Sequence, residues 1–123
     1  MRTRVAVLGA GSFGTCLALL AARSHDVTLW ARDAAMAETM QRERRNPRYL
    51  GEFTLPDSVR VSADLADALS GRTLVICAIP SHGVRDVMRA AGPLLDPDAI
   101  IVSTVKGIEV ESSLLMHQVL EAV

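Results

Sequence analysis

The sequence predicts a doubly wound α/β domain, a parallel sheet covered by helices on both faces, and three observations predict it. Short aliphatic runs alternate with segments of helical spacing along the 123-residue chain, the order expected of βαβ units. Half of the residues are hydrophobic but only 3% are aromatic, so the core is built mainly from Val, Leu, Ile and Ala, which suits a sheet buried on both sides. Third, Val5-Ala6-Val7-Leu8-Gly9-Ala10-Gly11-Ser12-Phe13-Gly14 joins an apolar strand to a glycine pattern and then to a helix. At this size one domain with one core is expected, burying roughly two thirds of the surface of the unfolded chain.

A G-x-G-x-x-G pattern set between a strand and a helix is the dinucleotide-binding turn of the Rossmann fold. Gly9 takes the tight turn, Gly11 leaves room for backbone to approach a pyrophosphate, and Gly14 lets the helix press against the strand. Amides of the first helical turn, at the positive end of the helix dipole, then hold the phosphates, and Ser12 offers a hydroxyl beside them. The alternative reading is a close-packed βα turn with no ligand. A secretory signal is excluded, because the apolar stretch that follows Arg2 and Arg4 is interrupted by three glycines.

The formal net charge of -1 gives no general attraction for nucleic acid or for an anionic membrane surface. Cys16 and Cys77 have neither the spacing of a redox pair nor enough companions to hold zinc, so both are expected to be buried, reduced thiols, and no metal site is expected. No apolar run is long enough to cross a bilayer, which makes the cytoplasm the expected compartment.

In chain order, the strand at 4–8 feeds the glycine turn, and the uncharged helix over 13–22 is expected to be heavily buried. His25-Asp26 turns the chain into the strand Val27-Thr28-Leu29-Trp30, closing a first βαβ unit. At the end of this strand an acidic residue ordinarily bonds the ribose 2′-hydroxyl of NAD, whereas an Arg accommodates the 2′-phosphate of NADP. The residues here are Trp30-Ala31-Arg32-Asp33, so Arg32 favours NADP(H), with NAD(H) the alternative. Asp33 is either the N-cap of the next helix or a ribose ligand, and a solvated loop charge is the other reading of Arg32. The helix over 34–45 directs Met36, Ala37 and Met40 to the core; its basic end, with Arg42, Arg44 and Arg45, reads as solvated, and Asn46-Pro47 stops it. No aromatic platform accompanies that cluster, so it is not a nucleic-acid patch. Tyr49, in an ordered loop over 48–56, either packs over an adenine edge or anchors the loop, the residues favouring the second.

Val59-Arg60-Val61 reads as an edge strand, Ser62 or Asp64 caps a short helix through Leu69, and Gly71 ends it. Residues 73–79 form the most continuous apolar run of the second half, a central parallel strand buried on both faces. Pro80-Ser81 leaves it at the edge where open α/β sheets place their ligands. There Pro80 can lie against a cofactor, and Ser81 caps the helix carrying Val84, Val87, Met88 and Ala91. A strand at 99–103 and a helix at 112–122 complete the chain. Between them stands Lys106, the single lysine against twelve arginines. Its compact charge suits a phosphate oxygen or a developing alkoxide; the alternative is a chance surface lysine. His82 and His117 are isolated, and neither is assigned a role.

The glycine turn, Leu29-Trp30-Ala31-Arg32, Asn46-Pro47-Arg48-Tyr49-Leu50, Ile79-Pro80-Ser81 and Lys106-Gly107-Ile108-Glu109, taken in this order, resemble the NAD(P)-dependent glycerol-3-phosphate dehydrogenases of bacteria over nearly the whole chain. The resemblance implies an NAD(P)-binding Rossmann domain over 1–123, part of an enzyme that interconverts dihydroxyacetone phosphate and sn-glycerol 3-phosphate for phospholipid synthesis. It further implies cofactor contacts from Ser12, Phe13, Arg32 and Tyr49, and contact with both cofactor and substrate from Lys106. In that family the sheet continues and a helical second domain supplies the base and most of the substrate-phosphate site. The chain is therefore expected to be an N-terminal fragment, truncated before that domain, with no catalytic residue of its own and little or no turnover alone. Apolar surface left exposed would favour a homo-oligomer. The alternatives are a fragment of a related reductase of 2-oxo or 3-hydroxy acids, and a non-catalytic dinucleotide-sensing module.

Overall fold

The computed structural model describes residues 4–46, 54–79, 83–96 and 99–103. Strands and helices alternate as β1 (Arg4–Leu8), α1 (Ser12–Ala21), β2 (Asp26–Trp30), α2 (Ala34–Glu43), β3 (Val59–Ser62), α3 (Leu65–Leu69), β4 (Leu74–Cys77), α4 (Val84–Ala91) and β5 (Ile100–Ser103). The strands pair in the order β3-β2-β1-β4-β5, every pair parallel. The chain winds outward from β1 to β3 and then crosses back to β4, so its direction of winding reverses between β1 and β4. In an open α/β sheet the crevice outside the strand ends at such a reversal is the ligand position. The register sets Leu8, Trp30, Ser62, Cys77 and Ser103 on one rung. Gly9, Ala31, Ala63 and Ala78 consequently leave the sheet side by side along one edge.

Burial on both faces explains the aliphatic composition. Val5, Ala6, Val7 and Leu8 are all fully buried, which a strand achieves only when helices cover both of its sides. Alternate residues divide between two cores. Val5, Val7, Val27, Leu29, Val59 and Val61 pack with Ala18 of α1 and with Ala37 and Met40 of α2. On the opposite face Ala6, Leu8, Trp30, Val75 and Cys77 pack with Ala68 and Leu69 of α3 and with Val84, Val87, Met88 and Ala91 of α4. Each fully buried Val, Leu or Met side chain contributes on the order of 1.5–3 kcal/mol, and the methionines predicted for the core lie there or against it.

Local polar chemistry sets the element boundaries. Asp33 Oδ1 accepts from the amides of Ala35 and Met36 at 2.9 and 3.2 Å, and Asp64 Oδ1 accepts from those of Ala66 and Asp67 at 3.0 and 3.4 Å. Of the two readings of Asp33, the structure thus shows the cap. Asp33→Ala is expected to lower stability by about 1 kcal/mol, measured as an earlier urea midpoint, with Asp33→Asn close to the parent; an unchanged midpoint for the alanine chain would contradict the cap. Along the edge strand β3, Gln41 Oε1 accepts from the Val61 amide at 2.8 Å, covering a donor that would otherwise face outward. Arg60 donates to Asp67 across β3 and α3, and that hydrogen bond holds the Asp67 carboxyl below its usual value.

The helix α1 departs from the expected heavy burial. Gly14, Thr15 and Ala18 face the sheet, but Phe13 is 56% and Leu20 55% exposed. A helix lying on a sheet presents only one stripe to it, and the described residues put nothing over the other. Cys16 lies on that outer side and is exposed, against expectation, whereas Cys77 is buried in β4, where desolvation pushes its thiol up. The basic end of α2 is not simply solvated either. Arg44 ends the helix in the left-handed conformation at φ 59°, and its Nη2 donates to the carbonyls of Pro56 at 2.7 Å and Val59 at 2.6 Å, tying the return loop to β3. In β4, Val75 and Cys77 are buried and Leu74 and Ile76 partly so, and at the edge of the sheet Ile100, Ile101 and Val102 of β5 are exposed. The helix α4 opens at Val84 with Gly83 as its N-cap; Ser81, the predicted cap, lies outside the described residues, as does the helix predicted at 112–122.

Candidate cofactor site

The turn after β1 meets the loop after β4 at the point where the winding reverses. The Gly9 amide donates to the Trp30 carbonyl at 3.0 Å, and the Ala78 amide donates to the Leu8 carbonyl at 2.8 Å. The three glycines act differently. Gly9 has φ +113°, and a Cβ there would stand 2.6 Å from the Ala78 carbonyl oxygen, so both conformation and space demand glycine. At Gly14 a Cβ would fall 1.8 Å from the Gly9 carbonyl oxygen; the helix rests directly on the turn. Around Gly11 nothing among the described residues lies within 4 Å of the corresponding position, so this glycine borders space that they leave open.

The electrostatics single out the same place. Whereas Asp33 and Asp64 close the N-termini of α2 and α3, α1 starts at Gly11 with no side-chain cap and no acidic residue in its first turn. Its first helical bond runs from the Thr15 amide to the Gly11 carbonyl at 3.0 Å. The preceding amides of Ser12, Phe13 and Gly14 have no carbonyl within the helix to bond, and the positive end of the helix dipole is unneutralised. Ser12 and Phe13 are both exposed beside this opening.

Arg32 is exposed two residues beyond the last rung of β2, its Nη1 3.9 Å from where a Cβ on Gly83 would stand. The guanidinium therefore reaches from the end of β2 past β1 toward the start of α4. Trp30 steadies this exit, since its buried ring donates through Nε1 to the Ala63 carbonyl at 3.1 Å and so links the ends of β2 and β3. The structure thus gathers Gly9, Gly11, Ser12, Phe13, Gly14 and Arg32 along one edge of the sheet. Tyr49, Pro80 and Lys106 lie outside the described residues.

Sequence reasoning missed Asn46. Read as part of a helix stop, it is fully buried, and its Nδ2 donates to the Ala10 carbonyl at 2.8 Å and to Thr15 Oγ1 at 2.9 Å. The only signal in the sequence was an amide residue directly before Pro47, which local rules assign to the end of a helix. Among the described residues no group of His, Cys, Asp and Glu is placed to hold a metal ion, and no helix is long and apolar enough to cross a membrane.

Residues 4–123 match the family described as the NAD-dependent glycerol-3-phosphate dehydrogenase N-terminus. A glycerol-3-phosphate dehydrogenase [NAD(P)+] of Teredinibacter turnerae is 46% identical over 119 residues, covering 96% of this chain and 35% of that protein. One from Brucella canis is 42% identical over 120 residues, covering 97% and 37%. The crystal structure of glycerol-3-phosphate dehydrogenase from Coxiella burnetii superposes with a TM-score of 0.92 at 34% identity, over 98% of this chain and 37% of that one. A ketopantoate reductase from Ralstonia eutropha also superposes, with a TM-score of 0.78 at 24% identity over 98% of this chain and 38% of that one, a likeness of fold alone. The chain thus spans about a third of the length of the relatives it matches. With the doubly wound sheet and the open glycine turn, these matches show that the chain belongs to the N-terminal family of the NAD-dependent glycerol-3-phosphate dehydrogenases.

Proposed function

We propose that this chain holds NADP(H), and NAD(H) less tightly, as the cofactor-binding part of an enzyme that interconverts dihydroxyacetone phosphate and sn-glycerol 3-phosphate. The observation that carries the reading is the uncapped N-terminus of α1, opening beside Gly11 at the point where the winding of the sheet reverses. A diphosphate fits there because several amide donors and the helix dipole converge on it without a competing carboxylate in the first turn of the helix. Arg32 then stands where the adenosine ribose of such a ligand would lie, and its guanidinium suits a 2′-phosphate. Tyr49 and Pro80 are proposed to border the adenosine half.

When bound, the dinucleotide supplies or accepts the hydride at the carbon of the substrate's carbonyl. The chain's own share is to orient it and to offer Lys106 as a cation to the substrate oxygen that gains negative charge, or to the substrate phosphate. Proton transfer to the forming alkoxide and the remaining phosphate contacts are assigned to the part of the relatives that this chain does not span.

Calorimetric titration of the chain with NADPH and with NADH tests the reading. Saturable binding of both, tighter for NADPH, with a raised melting temperature, is expected. Absence of heat and of any thermal shift with either would overturn it.

A further inference from the structure

Thr15, Thr28 and Asn46 are the buried polar side chains among the described residues, and two of the three meet at the glycine turn. Asn46, two residues past the end cap of α2, reaches 36 positions back along the chain to the Ala10 carbonyl. Thr15 accepts its second bond, and the Thr15 hydroxyl lies 3.4 Å from the same Ala10 oxygen. The Ala10 carbonyl is thereby held from two sides in a partly buried environment, and the Asn46 amide that holds it is itself fully buried, where an unpaired group is costly.

The consequence follows from the peptide plane. The carbonyl of Ala10 and the amide of Gly11 belong to one rigid trans unit and point in opposite directions. A carbonyl fastened toward Asn46 and Thr15 turns the Gly11 N–H to the opposite side, away from both. Among the described residues no hydrogen bond engages that N–H. Because glycine resists rotation of its own φ so little, the unit needs an external hold to keep one orientation.

We propose that Asn46 is a positioning residue for the dinucleotide: by holding the Ala10 carbonyl it aims the Gly11 amide at the diphosphate. This inference rests on the dinucleotide reading above and assigns a role to a residue remote in sequence from the turn.

The test compares the 123-residue chain with its Asn46→Ala and Thr15→Val variants. NADPH is titrated calorimetrically, and adenosine 2′-monophosphate, which lacks the diphosphate, is followed by NMR to millimolar concentration. Asn46→Ala is expected to weaken NADPH about tenfold, the loss of one well-aligned donor, while changing the monophosphate less than about twofold. Thr15→Val, which spares the 2.8 Å bond, is expected to weaken NADPH less than about threefold. Unchanged NADPH affinity in Asn46→Ala, or equal losses for both ligands, would overturn the proposal. Should the alanine variant not fold, the unsubstituted labelled chain decides: NADPH is expected to shift the Gly11 amide strongly downfield, and an unmoved Gly11 amide overturns it. Failure of the unsubstituted chain to bind either dinucleotide would instead remove the cofactor reading itself, and this inference with it.

Discussion

Replacing Gly14 with alanine is expected to unfold the turn rather than merely weaken a ligand. The added Cβ would stand 1.8 Å from the Gly9 carbonyl oxygen and 2.9 Å from its carbon, and both are backbone atoms that no rotamer change can clear. Either α1 lifts off the sheet, removing Ala18 from its packing against Val5, Val7 and Leu29, or Gly9 shifts against Ala78. Overpacking of this kind costs about 1–3 kcal/mol and more where backbone opposes it. A loss of about 3 kcal/mol is expected, which is a large part of the stability of a small domain. Trp30 is the single tryptophan and is buried in the core, so urea unfolding followed by its fluorescence measures the effect. Gly11→Ala is the matched comparison, because that position has a φ of -74° and open surroundings. Its stability is expected to change by no more than about 1 kcal/mol, yet under the proposed binding mode its methyl group would stand in the path of the diphosphate, so NADPH binding should be lost. A Gly14→Ala chain as stable as the parent would refute the close contact of α1 with the turn.

The second large effect concerns cofactor choice. Arg32→Gln is expected to weaken NADPH by about 10- to 100-fold and NADH by less than about threefold, since a charge-assisted bond to a phosphate is worth about 1.5–3 kcal/mol. The sign follows from the chemistry of the two ligands: only NADPH carries the 2′-phosphate. Asp33 does not compete for this role, because its carboxylate caps α2 through Oδ1 and its negative charge would repel a phosphate. Competitive titration at fixed salt gives the ratio directly, and equal losses for the two dinucleotides would show that Arg32 does not read the phosphate. Raising the ionic strength should also weaken NADPH more than NADH in the parent chain.

What the sequence made legible was local. The glycine spacing, the aliphatic strands, Asp33 as a cap and the core-facing residues of α4 each depend on residues within a few positions of one another. Periodicity and capping rules act over that range. Arg44 and Asn46 were misread for the opposite reason. Both sit at a helix end, where local rules assign a solvated cation and a stop signal. Their partners are Pro56 and Val59 for the one, Ala10 and Thr15 for the other. Such pairings exist only once the return from α2 to β3 has been laid beside the turn. The exposure of Phe13, Cys16 and Leu20 is of the same kind, because an apolar helix carries no mark of which stripe the sheet will cover.

By itself the chain of residues determined the class of fold, the position of the turn and the type of ligand that a string of free amides attracts, since these depend on backbone freedom and on short-range alternation of polarity. Only the tertiary structure decided that Gly9 and Gly14 are held by steric contact while the described residues leave the space at Gly11 open, and that a buried amide from beyond α2 donates to the Ala10 carbonyl. Those outcomes depend on distances between segments tens of residues apart, which the packing of two helical layers on one twisted sheet sets and no local pattern encodes.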